Sequence, residues 1–425
     1  MSAQPIGAGQ QRDADPDTRQ AWRIVAALAV TQTVGYGTLY YAFAVLLTPL
    51  ARDLHTSSTM VTGAFTASVL TSAALAVPVG RWLDARGGRV LMTAGSLLGA
   101  LLLVGWANIT TVTQLYLVQI LIGVATAGSL YEAAFAVVLT WFGARRRSSA
   151  LLAVTVVAGF ASTVFLPLTG WLVDRHGWRT ALLVLAAIQA LTVPLHALLV
   201  RRPPRPHGGD RAGRSASAGT VRSALTDRAF WLLAAGFTAH TAAISAVTVH
   251  LVAALISWGH RPAFAAAVAG LLGVLSVAGR LVATGLQRRY RTATVTAAVF
   301  GVQATAAMLL PLIGASTAGA VGAVVGFGIG FGVATIAKPV LLAERYDTRR
   351  YATLAGILVV PMTLAKATAP LAAAALHTAT GSYTPVLAAT AMACAVAAAA
   401  IAVLAARPVT VPGPAVSPDL VRPAR

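Results

Sequence analysis

Apolar residues run in long blocks along this chain, separated by short polar or charged clusters. Twelve blocks reach bilayer length: 22–47, 59–82, 89–107, 112–141, 149–173 and 179–200, then 228–255, 263–287, 292–313, 318–342, 351–376 and 383–406. About 20 residues of helix cross a hydrocarbon core. In lipid, a chain segment must satisfy its backbone N–H and C=O groups internally, so each block is expected to be a helix. The expected fold class is therefore an all-α membrane protein with twelve transmembrane helices.

Composition agrees with the pattern. Of the 425 residues 57% are hydrophobic and 10% charged, where a soluble domain carries about a quarter charged. The mean hydropathy is +0.75. A net charge of +20 would suit nucleic acid only if the charges gathered on one surface. Instead they alternate between loops. Lys and Arg crowd into the tails, Arg81–Arg89, Arg145–Arg147, the 201–228 segment, Arg288–Arg291 and Arg345–Arg350, while the opposite loops hold Arg52, Arg175, Arg179 and Arg261. The positive-inside rule then predicts both termini on the cytoplasmic side of a bacterial inner membrane. The lone cysteine, Cys394, excludes a disulfide framework. Asp13, Asp15 and Asp17 precede a full-length span, which reads as a tail and not as a signal peptide.

Residues 201–227 hold Pro203, Pro204, Pro206, Gly208 and Gly209 in an Arg/Ser/Ala mixture, expected to be a flexible cytoplasmic linker. It divides the chain into a tail (1–21), a six-helix half (22–200), the linker, a second six-helix half (228–406) and a final tail (407–425). Six plus six is the layout of two parallel repeats about the membrane normal.

After the second block comes Gly80-Arg81-Trp82-Leu83-Asp84-Ala85-Arg86-Gly87-Gly88-Arg89. It resembles the loop 2–3 signature of the major facilitator superfamily, which implies a gating loop built on Gly80, Asp84, Arg86, Gly87 and Arg89. A degraded copy, Gly285-Leu286-Gln287-Arg288-Arg289, lacks the acid. The stretch from Tyr131-Glu132 to Trp141-Phe142 with Arg145–Arg147, and Gly177-Trp178-Arg179, are similar to monocarboxylate transporters and the oxalate/formate antiporter group. Two departures count against proton-driven drug exporters: Gln119 stands where they carry Arg, and Gly159 to Pro167 and Gly170 lack their Gly-Pro-Gly-Gly signature.

Charges inside the blocks supply the candidate chemistry, because charge at bilayer depth is costly and marks function by default. By helical rise, Glu132 lies roughly 14 Å from Trp141, Arg280 roughly 12 Å from Arg288 and Lys366 roughly 16 Å from His377, near the midplane of a ~30 Å core. A guanidinium offers a planar fork for a carboxylate and Lys adds a point charge. Resemblance to the oxalate/formate group implies substrate binding by such residues on these two helices. Arg280 and Lys366 are thus expected to bind substrate, with Tyr36 and Tyr40 (and Tyr41) lining the cavity. Glu132 is the proton-coupling candidate, and a static pair with Lys338 is its alternative role. Lys338 is expected near the cytoplasmic surface, where it can snorkel. Lys338, Gln119 and His240 are possible supporting residues, and His250 shares a face with His240. No catalytic group, metal cluster or cofactor site is expected.

The expectation is a secondary transporter moving a mono- or dicarboxylate by alternating access, proton-coupled or by anion exchange. Its partners would be a small-molecule substrate, protons or a counter-anion and the bilayer, with no nucleic acid and a monomeric state. The alternative is a proton-driven exporter of a hydrophobic or cationic molecule, with Glu132 as counter-ion.

Overall fold

The computed structural model describes residues 16–202, 216–346 and 350–407. The first span is α1 (Pro16–Tyr36), one π-helical turn (Gly37–Tyr41) and α2 (Ala42–Asp53). α3 (Ser58–Arg86) and α4 (Gly88–Ala107) are the second and third; the fourth is split into α5 (Val112–Ser129) and α6 (Tyr131–Trp141). The fifth and sixth comprise α7 (Ala144–Gly159), α8 (Ala161–Ala190) and α9 (Thr192–Leu199). After α10 (Ala216–Thr226) come the seventh span α11 (Arg228–Ser257), α12 (Pro262–Leu286) and α13 (Thr292–Ile313). The tenth is again split, into α14 (Thr317–Ile329) and α15 (Val333–Arg345), before α16 (Tyr351–Thr380) and α17 (Thr384–Ala406).

Among the described residues, eleven segments are long and apolar enough to cross a membrane, and one of them, Ala144–Leu199, is 56 residues long. A straight helix of that length would span roughly 84 Å, over twice a bilayer core. Gly177, at φ 76° and ψ 163° inside α8, turns the chain back, a conformation glycine adopts without steric cost. Twelve crossings result. Polar side chains cap several helix starts: Ser57 accepts from the Met60 N–H, and Thr111 and Gln114 form a reciprocal capping box. Val90, Leu191, Val274, Leu312 and Leu371 lie exposed on the outside of the bundle, as a lipid-facing surface requires.

The two ends of the bundle differ. At the arginine-rich end one apolar core merges both halves, joining Val137, Leu139 and Phe142 to Ile336, Val340, Tyr351 and Leu354. At the far end the two largest cores lie each within one half. One holds Leu46, Trp106, Leu115 and Phe165 of the first half; the other holds Leu251, Leu272, Phe327 and Cys394 of the second. The halves therefore meet at the basic end and part toward the far end.

Part of the segment read as flexible linker is ordered. Residues 216–226 form α10, with Ala224 buried and Val221 and Leu225 packed on the basic-end core. Apolar residues three and four apart give that short stretch a face to bury. Residues 203–215 lie outside the described residues, as do most of both tails.

Candidate functional site

The first span brings its tyrosines to the inter-half cleft through the π-helical turn Gly37–Tyr41. One extra residue per turn shifts the register. A side chain at Gly37 would strike the Phe165 ring, so glycine lets the first and fifth spans approach there. Tyr36 packs against Tyr131 with ring centroids 4.5 Å apart and against Tyr40 at 6.0 Å. Tyr40 and Tyr41 meet edge to face at 5.4 Å. The first half thus presents four phenols to the cleft. Tyr131 belongs to this group, and in the sequence only its place in a motif marks it.

The second half presents cations. Lys366 of α16 is exposed to the cleft, and its Nζ donates to Tyr40 Oη at 2.9 Å with the ring centroid 5.2 Å away. Arg280 of α12 is half-buried. Its Nη1 donates to the Thr155 carbonyl in the first half at 3.3 Å, and its Nε to Gly332 O at 3.4 Å. It threads between two glycines. A Cβ at Gly159 would stand 3.3 Å from Nη1, and one at Gly332 2.8 Å from Nε. Among the described residues neither Arg280 nor Lys366 has a carboxylate at ion-pairing distance. Most of the five N–H donors of Arg280 remain for another acceptor.

Glu132 and Lys338 join the halves directly, Nζ to Oε1 at 2.6 Å, with side-chain exposures of 31% and 8%. Lys338 therefore does not snorkel to the surface. The helix break at Gly330–Gly332 restarts α15 and turns Lys338 inward onto Glu132. The matching break at Leu130 (φ −89°, ψ −160°) puts Glu132 in the first turn of α6, where a carboxylate suits the helix dipole. Side-chain amides serve both breaks: Gln32 Nε2 donates to Ser129 O at 2.9 Å and Gln303 Nε2 to Phe327 O at 2.8 Å. Glu132 Oε2 is buried with no partner among the described residues.

At the basic end the Asp84 carboxylate crosses to the start of α16. It accepts from the Ala352 N–H at 3.1 Å, the Thr353 N–H at 2.9 Å and Thr353 Oγ1 at 2.5 Å. A side chain at Gly80 would strike the Ala352 carbonyl. The rest of the motif stays in its own half. Arg86 lies over Trp82 at 4.3 Å, Gly87 takes φ 77°, and Arg89 Nε donates to Ala197 O at 2.6 Å. A further cross-link runs from Arg147 Nη1 to Ala343 O at 3.1 Å. Tyr346 donates to Asp227 Oδ2 at 2.8 Å; burial and then that carboxylate hold its phenol above the ordinary value.

Two expected supporting residues stand apart from the cleft. His240 is buried, stacked on Phe300 at 4.0 Å and bonded to Gln303 Oε1 at 2.9 Å. Gln119 is buried, its amide without a partner among the described residues. It lies one turn from Gly123, whose face abuts Ser68 and Thr71 of α3. His250 donates to Pro370 O at 3.0 Å within the second half.

An all-helical bundle of two six-helix halves around a polar cleft is the architecture of a membrane carrier. The model of the Major Facilitator Superfamily matches residues 28–360, and the chain belongs to that family, one of transporters and not of enzymes. Among curated proteins, it is 32% identical over 186 residues to an MFS-type efflux pump of Mycolicibacterium smegmatis, covering 43% of this chain and 42% of that protein. It is 29% identical over 326 residues to human monocarboxylate transporter 11, covering 74% of this chain and 66% of the relative. The chain thus spans less than two thirds of the length of these relatives. Among solved structures, the E. coli fucose:proton symporter superposes with a TM-score of 0.73 at 15% identity, covering 89% of this chain and 98% of that one. A second structure of that transporter, in the outward conformation, gives 0.71 at 16% identity.

Proposed function

We propose that the protein is a secondary transporter of small organic anions, mono- or dicarboxylates, in a bacterial inner membrane with both termini cytoplasmic. The observation that carries the reading is the pair of second-half cations, Arg280 and Lys366, facing the cleft without a carboxylate partner among the described residues. A charge held in low dielectric needs a partner, and a substrate carboxylate would be one. The phenols of Tyr36 and Tyr40 add hydroxyl donors across the cleft. With the basic end cytoplasmic, the arrangement is an outward-open state, closed inside by Asp84 and the merged core. Substrate binding would draw the halves together around it, and the Glu132–Lys338 pair would separate as the inner gate opens. Glu132 is the proton-coupling candidate for symport; anion exchange is the other mode. The monocarboxylate transporter among the relatives supports the substrate class.

A second reading, export of a hydrophobic or cationic molecule with Glu132 as counter-ion, is favoured by the efflux pump among the relatives. Purified protein in liposomes, screened with radiolabelled carboxylates under imposed pH gradients, separates these. Gradient-following carboxylate uptake that Glu132→Gln abolishes means symport, and uptake needing an internal anion means exchange. Movement of organic cations with no carboxylate flux would replace the proposal with the exporter reading.

A further inference from the structure

The second copy of the loop motif, Gly285 to Arg289, lacks the acid of the first. In the first half the motif is answered within the protein: Asp84 by α16, Arg86 by Trp82 and Arg89 by Ala197 O. In the second half a cavity of about 260 Å³ opens at the basic end, between the α12–α13 loop and the end of α15. It far exceeds the ~30 Å³ share of one water and falls just short of the ~300 Å³ of drug-sized pockets. Its walls carry two guanidiniums, Arg291 and Arg345, with Gln287, Tyr290, Thr292 and Glu344. Arg291 Nη1 donates to Ala405 O at 2.8 Å, and Arg345 Nη2 to the Leu404 and Arg407 carbonyls. Each is thus pinned to the end of α17 through one nitrogen, and neither makes an ion pair among the described residues. The other N–H groups of each fork are left over. Glu344 accepts from Thr292 Oγ1 at 2.7 Å. The Gln287 amide, nitrogen and oxygen alike, is buried with no partner among the described residues, an arrangement that costs stability. An apolar track leads up to the cavity. The Tyr290 N–H donates to Leu286 O at 2.8 Å, which carries the helical spacing past the end of α12. Val282, Leu286 and Tyr290, four residues apart, are all exposed. An aliphatic stripe ending in a tyrosine and arginines suits a helix end at a lipid–water boundary.

We infer that this cavity binds a phosphate ester of a polyol, seated there as the headgroup of an anionic phospholipid. Phosphate oxygens accept from the free N–H groups of Arg291 and Arg345. Headgroup hydroxyls donate to Glu344 and to the Gln287 amide oxygen, and the acyl chains lie along Leu286 and Val282. A bare phosphate would bring nothing to the carboxylate, and a quaternary ammonium has no hydrogen to donate to it. The same loop carries Arg288 and Arg289, so cations outnumber the one carboxylate on the walls and favour a net anion over a zwitterion. The site stands apart from the cleft and does not depend on the cargo. A headgroup held there ties together the ends of α12, α15 and α17, through the two arginines that already cap α17.

The test is binding to the full chain, purified in a mild detergent and stripped of lipid, at constant ionic strength. Three probes are titrated: short-chain phosphatidylglycerol, phosphatidylcholine of the same chain length, and glycerol 3-phosphate. The site predicts saturable binding of phosphatidylglycerol, about tenfold or more tighter than phosphatidylcholine. Arg291→Gln should weaken it by about tenfold or more, and Gln287→Leu by about fivefold. Should Arg291→Gln not fold, Gln287→Leu decides, because among the described residues the Gln287 amide makes no bond for the substitution to break. Glycerol 3-phosphate that binds as tightly as the lipid, and with the same response to the variants, supports the site and assigns it to a soluble phosphate ester. Equal binding of the two lipids, binding that the folded variants leave unchanged, or the absence of saturable binding overturns the site.

Discussion

The two halves are built alike and charged apart. The fourth and tenth spans occupy equivalent places, each broken near its middle, at Leu130 and at Gly330–Gly332, and each break is served by a side-chain amide, Gln32 or Gln303. Beyond the backbone the likeness ends. The first half brings a carboxylate and four phenols, Glu132 with Tyr36, Tyr40, Tyr41 and Tyr131; the second brings three cations, Arg280, Lys338 and Lys366. A repeat that kept its frame and diverged in charge has a polarised cleft, with a carboxylate and hydroxyls on one wall and cations on the other. One cation is neutralised internally by Glu132. The other two are the surplus that an anion can answer.

The largest expected effect comes from removing that surplus. Arg280→Ala should lower carboxylate uptake by about 100-fold or more, since an anion bound through charge-assisted hydrogen bonds loses them; Arg280→Lys, without the planar fork, should lose about tenfold. Initial rates in liposomes at matched protein density check both. Next is the one internal cancellation. Lys338→Met leaves Glu132 unpaired and should cost about 3 kcal/mol of stability, while the double variant Glu132→Gln/Lys338→Met recovers most of it. Thermal unfolding in detergent measures this. Smaller is the latch: Asp84→Asn weakens three bonds to α16 and should shift the halves toward opening at the basic end by about 2 kcal/mol. A cysteine placed at Ala76, opposite Gly356 across the inter-half contact, should then alkylate faster from that side. The smallest effect belongs to His240→Gln. Sealed against Phe300 and Gln303, His240 should move the pH profile of uptake by less than about half a unit.

What could be read from the sequence follows from what a bilayer forbids. Arg280, Glu132 and Lys366 stand out because ionisable residues in apolar blocks have few structural excuses, and the twelve spans stand out for the same reason. The repeat equivalence leaves the Glu132–Lys338 pair open as an alternative, but the expected depth of Lys338 near the surface fails, because counting residues along a straight helix misses the break at Gly330–Gly332. The cradle of Arg280 was not legible. Thr155 offers a carbonyl and Gly159 and Gly332 offer room, and neither backbone oxygens nor space leaves a mark in a glycine- and alanine-rich sequence. The break at Leu130 has no proline to announce it. Asp84 was readable as a gate residue through its motif, yet its partners on α16 come from a helix start 268 residues away, which only the packed fold brings near.

The most direct test of the central claim, a carboxylate held by the surplus cations of the second half, is binding of radiolabelled mono- and dicarboxylates to purified wild type, Arg280→Ala and Lys366→Ala at constant ionic strength. The account predicts saturable binding to the wild type, its loss in Arg280→Ala and a marked weakening in Lys366→Ala. Equal binding to all three, or binding of organic cations that depends on Glu132 alone, would contradict it.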